Sequence, residues 1–396
     1  MKVSQISTIL NTVFGEITGG AVVKEDLSNI VDIGRTIIST TQWGDNFDKY
    51  VAAIIDKVGR VVVWDRVYRG DDLGLLREGW EYGSIMEKIR VEVGDYVDNP
   101  VWQLTDSPAP DFSGLFDFDS APTVTAKYFN FKTTFNLEIC IAREQAESAF
   151  RSAADMQKFF GGIENRIRTK MEIGKEGLAY RAEVNFIAEK IADYNLNGGC
   201  GFVNLLEAYH NDGGDATLTT AADAWYNIEF LRYCVRKIRI DRAMLRKATR
   251  LYNVEHYTAF TPEDRLGVFA LADFAAAIES ILMSQTYHDE FVSLPGYREV
   301  AFWQGTGTAA GLTDRASINA IPASDPGGTA ITADGIVFVM QDRDAVMIAC
   351  EQNPVDSLYN PKGRFYKYFY HADCSYYNDL AENGIVYAIQ DHTPIP

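Results

Sequence analysis

The sequence is short of the features that mark a secreted, membrane-spanning or metal-binding chain. Its 396 residues hold only five cysteines and five histidines. Cys140, Cys200, Cys234, Cys350 and Cys374 are odd in number, widely spaced and never arranged as CxxC. That argues against a disulfide framework or a zinc module and predicts reduced, mostly buried thiols. His210, His256, His288 and His392 are scattered without ligand spacing, and His371 stands three residues from Cys374. On a strand that interval puts the two on opposite faces, so a Cys-His nucleophile pair is not expected and His371 reads as a packed strand residue. No run approaches the roughly 18 apolar residues of a membrane span. No Asn-x-Ser/Thr sequon occurs, and Asn11 and Glu16 interrupt the start, which makes a poor signal peptide. The expectation is a soluble, cytosolic chain. Positive charge is scarce as well: 37 Lys and Arg stand against 55 Asp and Glu, for a net charge of -18. That argues against indiscriminate nucleic-acid binding, whose affinity comes from clustered positive charge.

What is present is ordinary globular composition, 47% apolar and 23% charged, in a chain long enough for two or three domains. Aromatics reach 12%, which favours extensive β-structure or large contact surfaces. The stretch 47–55 is amphipathic and 60–64 is strand-like. Residues 84–93 alternate, with Ile85, Ile89, Val91 and Val93 on one face. Residues 124–137 alternate too, with Phe129, Phe131, Phe135 and Leu137 in phase, so both read as half-buried strands. From 91 to 126 there are seven acids and no base. The simplest reading is a two-stranded ribbon with a large acidic, proline-rich tip. An isolated ribbon is marginal in water, so it needs something to rest on.

At 142–195 the period becomes helical. Met156, Phe160, Ile163, Ile167, Met171, Gly174, Leu178 and Ala182 form one apolar stripe on a helix of roughly 40 residues. Gly161, Gly162, Gly174 and Gly177 weaken it and mark either a bend or a close helix contact. Asn197-Gly198-Gly199 stops it. Residues 200–335 form a second lobe. Thr220 caps a helix with the stripe Trp225, Ile228, Leu231, Val235 and Ile238. Thr261-Pro262-Glu263-Asp264 is a helix start, although 267–270 equally suits a strand. Asp273 caps a helix over 274–283, and 305–335 reads as a long loop. The last segment is β: 336–341 and 345–350 form a hairpin around Asp342-Arg343-Asp344, Asn360-Pro361-Lys362-Gly363 is a turn, and 365–370 and 385–389 are strands.

No catalytic constellation stands out. Gly305-Thr306-Gly307-Thr308-Ala309-Ala310-Gly311 imitates a dinucleotide loop, but its spacing is off by one and no βαβ unit surrounds it, so it reads as a flexible loop. Paired acids such as Asp71-Asp72 and Glu263-Asp264 read as solvated turns. The run 232–250 carries eight bases against one acid, Asp241. It is either a solvated helix face or a patch that meets an acidic partner surface, for which the acidic ribbon tip of a neighbouring copy is the candidate.

The order of parts is distinctive, and two stretches carry a resemblance. One is Ile55-Asp56-Lys57-Val58-Gly59-Arg60-Val61-Val62-Val63, continuing to Tyr82-Gly83-Ser84-Ile85-Met86-Glu87-Lys88-Ile89. The other is Asn360-Pro361-Lys362-Gly363-Arg364-Phe365-Tyr366-Lys367-Tyr368-Phe369-Tyr370-His371. With the matching order of elements, residues 40–390 resemble the major capsid (head) proteins of tailed bacteriophages, the Hong Kong-type shell fold. The local sequence is most similar to the head proteins of small short-tailed Bacillus-type phages.

The resemblance implies an α+β chain with an N-terminal arm (1–75), an extended β-ribbon loop (76–137) and a peripheral domain with a long spine helix (138–198). An axial domain (199–335) and return strands of the peripheral domain with the C-terminus (336–396) complete it. It implies a structural protein that self-assembles as hexamers and pentamers into an icosahedral or prolate head around double-stranded DNA, without sequence-specific DNA contact. It implies no cofactor, no metal, no catalytic residue and no membrane. A separate scaffolding protein, a portal and decoration proteins are the expected partners, with assembly in the bacterial host cytoplasm and residence in the virion. In the phage type concerned an immunoglobulin-like domain follows the shell core. Here the chain ends at Pro396 directly after the last strand, so that decoration is not expected. Two alternatives stand beside this reading: a non-viral compartment shell of the encapsulin kind, and a cytosolic two-domain α+β enzyme.

Overall fold

The computed structural model describes residues 6–8, 10–12, 23–32, 73, 75–78, 86–92, 123–129, 132–142, 151–283, 296–304, 315–352, 356–360, 362–363 and 365–392. The stretches 47–55, 60–64 and 305–311 and the ribbon tip lie outside these residues. The described elements begin with β1 (Leu76–Glu78), β2 (Met86–Glu92), β3 (Thr123–Phe129), β4 (Lys132–Ala142) and α1 (Ala153–Asn197). Then come β5 (Phe202–Asn204), α2 (Leu205–Asn211), α3 (Ala221–Ala224), α4 (Ile228–Leu245), β6 (Leu266–Leu271), α5 (Ala272–Met283) and β7 (Arg298–Val300). The last are β8 (Ile318–Ala320), β9 (Ile331–Ala333), β10 (Ile336–Asp342), β11 (Val346–Gln352), β12 (Asp356–Asn360), β13 (Phe365–Asn378) and β14 (Gly384–Ala388). The chain divides into two compact units, one of Met1–Glu81 with Lys132–Pro396 and one of Tyr82–Phe131.

In the first unit α1 runs for 45 residues, about 68 Å at a 1.5 Å rise. Ser152 caps its start, accepting from the Asp155 N–H and donating to the Asp155 carboxylate. Gly198 ends it at φ +68°, with its N–H returned to the helix carbonyls. A side chain at Gly199 would collide with Asp193, so the glycine pair is required by conformation at one position and by space at the next. Burial changes along the helix. Met156, Ile163, Ile167 and Met171 keep the expected single stripe, whereas from Leu178 to Asp193 nearly every residue is buried, including Glu183, Glu189 and Lys190. A helix apolar all round has to be covered on several sides. Here α1 packs on β4, β11 and β13 of one sheet and on β5 and β14 of another.

The first sheet is built on β13. β4 pairs along one edge of it, and β11 and β12 share the other, with β1 parallel to β11. The second has the order β5-β14-β10-β6-β7. All of β10 and β14 is buried, as interior strands require. α4 is pinned to β14 where the Tyr387 hydroxyl donates to the buried Asp241 carboxylate at 2.9 Å.

Several sequence expectations need correction. The turn at Asp342-Arg343-Asp344 exists, but its flanking strands do not form a hairpin: β10 pairs with β6 and β14, and β11 with β1 and β13. Turn chemistry is local, whereas two strands that each need neighbours on both edges part into different sheets. Residues 124–137 are not one strand; β3 pairs with β2, and β4 joins β13. Helical period begins at Ala153, not at 142. The single helix expected after Thr220 is two, since Asn227 caps α4 separately from α3. Thr261-Pro262-Glu263-Asp264 opens only one 3-10 turn before β6. The loop reading of 305–335 misses the β8–β9 pair.

The thiol expectation is also overturned. Cys350 and Cys374 face each other across β11 and β13, with Cα atoms 4.1 Å apart, and form a disulfide. Their 24-residue separation gave no spacing signal; only strand register brings them together. Of the free cysteines only Cys234 is buried, and Cys140 and Cys200 are exposed.

Two predictions follow from this packing. Added Cβ atoms at Gly161, Gly162 and Gly177 meet nothing within 4 Å, so among the described residues no close contact explains them. Each Gly→Ala change should stabilise the subunit by up to about 1 kcal/mol in urea unfolding, while Gly198→Ala, at positive φ, should destabilise it by a similar amount. Opening the disulfide should cost about 3 kcal/mol for a loop of this length. Unfolding with and without reductant, beside Cys374→Ala, measures it; a wild type indifferent to reductant would contradict the bond.

Candidate functional site

The second unit consists, in its described part, of β2 and β3 paired antiparallel from Met86↔Phe129 to Glu92↔Thr123. The register places Ile89 opposite Ala126, Val91 opposite Val124 and Glu87 opposite Tyr128, all on one face. That face is apolar and open: Ile89 is 61% exposed, Val91 59%, Val124 62% and Tyr128 62%. The Tyr128 hydroxyl donates to Glu87 at 2.9 Å, and that carboxylate holds the phenol above its ordinary range. The opposite face carries Lys88, Arg90 and Lys127, with the Lys127 ammonium over the Phe129 ring. A two-stranded ribbon with an uncovered apolar face is not stable by itself, and such patches mark interaction sites.

The first unit has a groove of about 550 Å³ between the N-terminal part of α1 and β4. Ile139, Ile141, Phe159 and Ile163 supply apolar wall, and Arg151, Lys158 and Arg166 stand against one acid, Asp155. Asp155, Gly162 and Arg166 follow the seven- and four-residue steps that place them along one helix face, and Arg151 lines the groove from just before the Ser152 cap. Gly162, with no side chain, leaves that face open at mid-groove.

The basic run 232–250 is largely committed within its own lobe. Arg232 pairs with Glu229, Lys237 with the buried Asp241, and Arg242 and Arg246 together with Glu263. Arg236 lies over the Tyr233 ring, and Arg250 donates to Thr258. The acidic partner expected across a subunit boundary is thus supplied in large part by the same chain. His371 stacks on Phe369 and stands 3.7 Å from Asp356, while Cys374 is tied up in the disulfide, so the two make no catalytic pair. Among the described residues no group of three or more His, Cys, Asp or Glu is placed to hold a metal, and no helix is long and apolar enough to cross a membrane.

Across residues 6–388 the sequence matches the family model of the Phi29-like phage major capsid protein. The chain belongs to that family. Phage major capsid proteins build the head shell, so this is a structural, self-associating virion component, and the compartment-shell and enzyme alternatives fall away. No curated protein matches the chain. Solved structures similar to it include the capsid of Staphylococcus phage Andhra, with 10% identity, a TM-score of 0.49 and 81% of this chain and 83% of that chain covered. Another is a structure of the head fibre and inner core protein gp22 of native bacteriophage P68, at 11% identity, TM-score 0.49 and coverage of 80% and 84%. A third is the capsid of cyanophage P-SCSP1u, at 10% identity, TM-score 0.41 and coverage of 81% and 88%.

In this capsid-family chain the signal for the ribbon face was the alternation at 84–93. The groove carried no sequence signal, because β4 and α1 are brought together only by the sheet. The internal pairing of the basic run is testable. Glu263→Gln should destabilise the lobe by up to about 1 kcal/mol at low salt and by less at high salt, since the partners are partly exposed. Urea unfolding at two ionic strengths measures it.

Proposed function

We propose that this capsid-family chain closes its shell by laying the ribbon of one copy into the α1–β4 groove of a neighbour. The observation that carries the reading is the uncovered apolar face of Ile89, Val91, Val124 and Tyr128 on a ribbon too small to stand alone. The groove offers a complementary lining, apolar within and basic at the rim, to a segment with seven acids and no base between residues 91 and 126. Burial of each Ile or Val contributes about 1.5–3 kcal/mol, and charge complementarity guides docking more than it adds affinity. Ribbon and groove are different patches, and such a heterologous contact closes into rings.

On this reading the arrangement is of Hong Kong type, and the head is like that of short-tailed Bacillus-type phages. The ribbon unit is the extended loop, α1 the spine helix, the β13 sheet part of the peripheral domain, and residues 1–75 the arm. The axial domain takes in β10 and β14 besides 199–335, because they pair with β5 and β6. Hexamers and pentamers enclose double-stranded DNA, whose contact with a wall of net charge -18 is weak. A separate scaffolding protein and a portal assist in the host cytoplasm, with decoration proteins added to the shell.

The test is the double substitution Ile89→Asp with Val124→Asp. Circular dichroism and unfolding should match the wild type, because both positions are exposed in the single chain. Electron microscopy and sedimentation should show capsomers or subunits in place of closed particles. Arg151→Glu with Arg166→Glu should weaken assembly from the other side. Normal particles from both variants would sink the proposed contact.

A further inference from the structure

Glu183 lies in the part of α1 that is buried all round and has no exposed surface. A carboxylate there is unfavourable unless a cation is paired with it. Its hydrogen bond comes instead from an amide: Gln341 Nε2, on the central strand β10, donates to Glu183 Oε2 at 2.8 Å. Two acceptors are left over, Glu183 Oε1 and Gln341 Oε1, both buried and both without a partner. An amide facing a carboxylate must leave them so. An amide facing a carboxylic acid need not, because the two groups close a ring of two hydrogen bonds. The amide N–H donates to one acid oxygen, and the acid O–H donates to the amide oxygen. One proton on Glu183 Oε1 therefore satisfies both orphans at once.

The charged groups on the elements around the pair are engaged elsewhere. Lys190, two turns along α1, donates to the Tyr252 carbonyl at 2.7 Å and lies over Phe186. Glu189 accepts from the Ser324 N–H, and Asp193 from Asn197. Asp342, next along β10, is held by Arg265 and the Asp344 N–H. After β13, Asp379 accepts from the Ala381 N–H, and on β14 the residue opposite Gln341 is Gly384, which has no side chain. From β13 itself, Asn378 donates to the Ala182 carbonyl.

We propose that Glu183 and Gln341 form an acid–amide latch, complete only while Glu183 is protonated, that ties the long helix to the central strand of the second sheet. Burial raises the Glu183 carboxyl from its ordinary 4.5 to about 7, against a smaller lowering by the Gln341 amide. Because the folded value lies above the unfolded one, the latch contributes fully below about pH 4.5. Its contribution declines as pH rises towards 7 and is level above that.

The experiment is urea unfolding of the full-length subunit, wild type against Glu183→Gln, from about pH 4.5 to 8.5. The variant keeps a two-bond amide–amide ring that does not titrate. The ratio of unfolding constants, wild type over variant, should climb by up to about tenfold per pH unit to pH 7 and then stay flat. Taking a ratio removes the contributions of Asp342 and Lys190. A ratio independent of pH would overturn the latch. Should the variant not fold, infrared spectroscopy of the wild type decides: a carboxylic C=O band present at pH 6 and lost near pH 7 supports the latch, and its absence at pH 6 overturns it.

Discussion

The fold depends on burying the second half of α1 from two sides at once. From Leu178 onward this helix has apolar side chains on every face, and Phe186 and Ile187 are fully enclosed. Each such side chain contributes about 1.5–3 kcal/mol when removed from water, so one sheet alone would leave much of that unrealised. Two sheets are recruited, and the chain passes between them at the turn after β10. The polar residues of the same half-helix then fix which segments lie where. Gln341 meets Glu183, the Ser324 N–H meets Glu189, and the Tyr252 carbonyl meets Lys190. Each buried polar group demands one partner, and a shifted register would leave several without.

The ribbon follows the opposite logic. Its apolar face is formed by correct pairing of β2 with β3 and is then left open. A monomeric enzyme gains nothing from such a surface, whereas a shell subunit has to defer part of its burial to its neighbours. In the proposed contact the groove beside α1 receives this face from a neighbouring copy, and its exposed lining includes a glycine at mid-face.

Charge is organised by pairing within the chain. The chain is strongly acidic, yet its densest basic run is folded back on Glu229, Asp241 and Glu263. That run stabilises the lobe that carries it, and in the proposed contact the basic rim of the groove is what meets the acidic ribbon tip.

The long helix, its stripe and its stop at Gly198 were legible in the sequence, because period and caps are local. So were the alternation of β2 and the turn at Asn360. The capsid-type resemblance rested on two short stretches and on the order of parts. Other features were decided by pairing between distant segments. The strands around Asp342 separate because each finds better edges elsewhere. Cys350 meets Cys374 because β11 and β13 align in one register. Arg242 and Arg246 of the basic run meet Glu263, which lies outside it in sequence. Glu183 is an ordinary helix residue in the sequence and becomes a buried acid only when β10 closes over it. Local spacing determined which elements form; long-range burial and register decided which faces, thiols and charges came to meet.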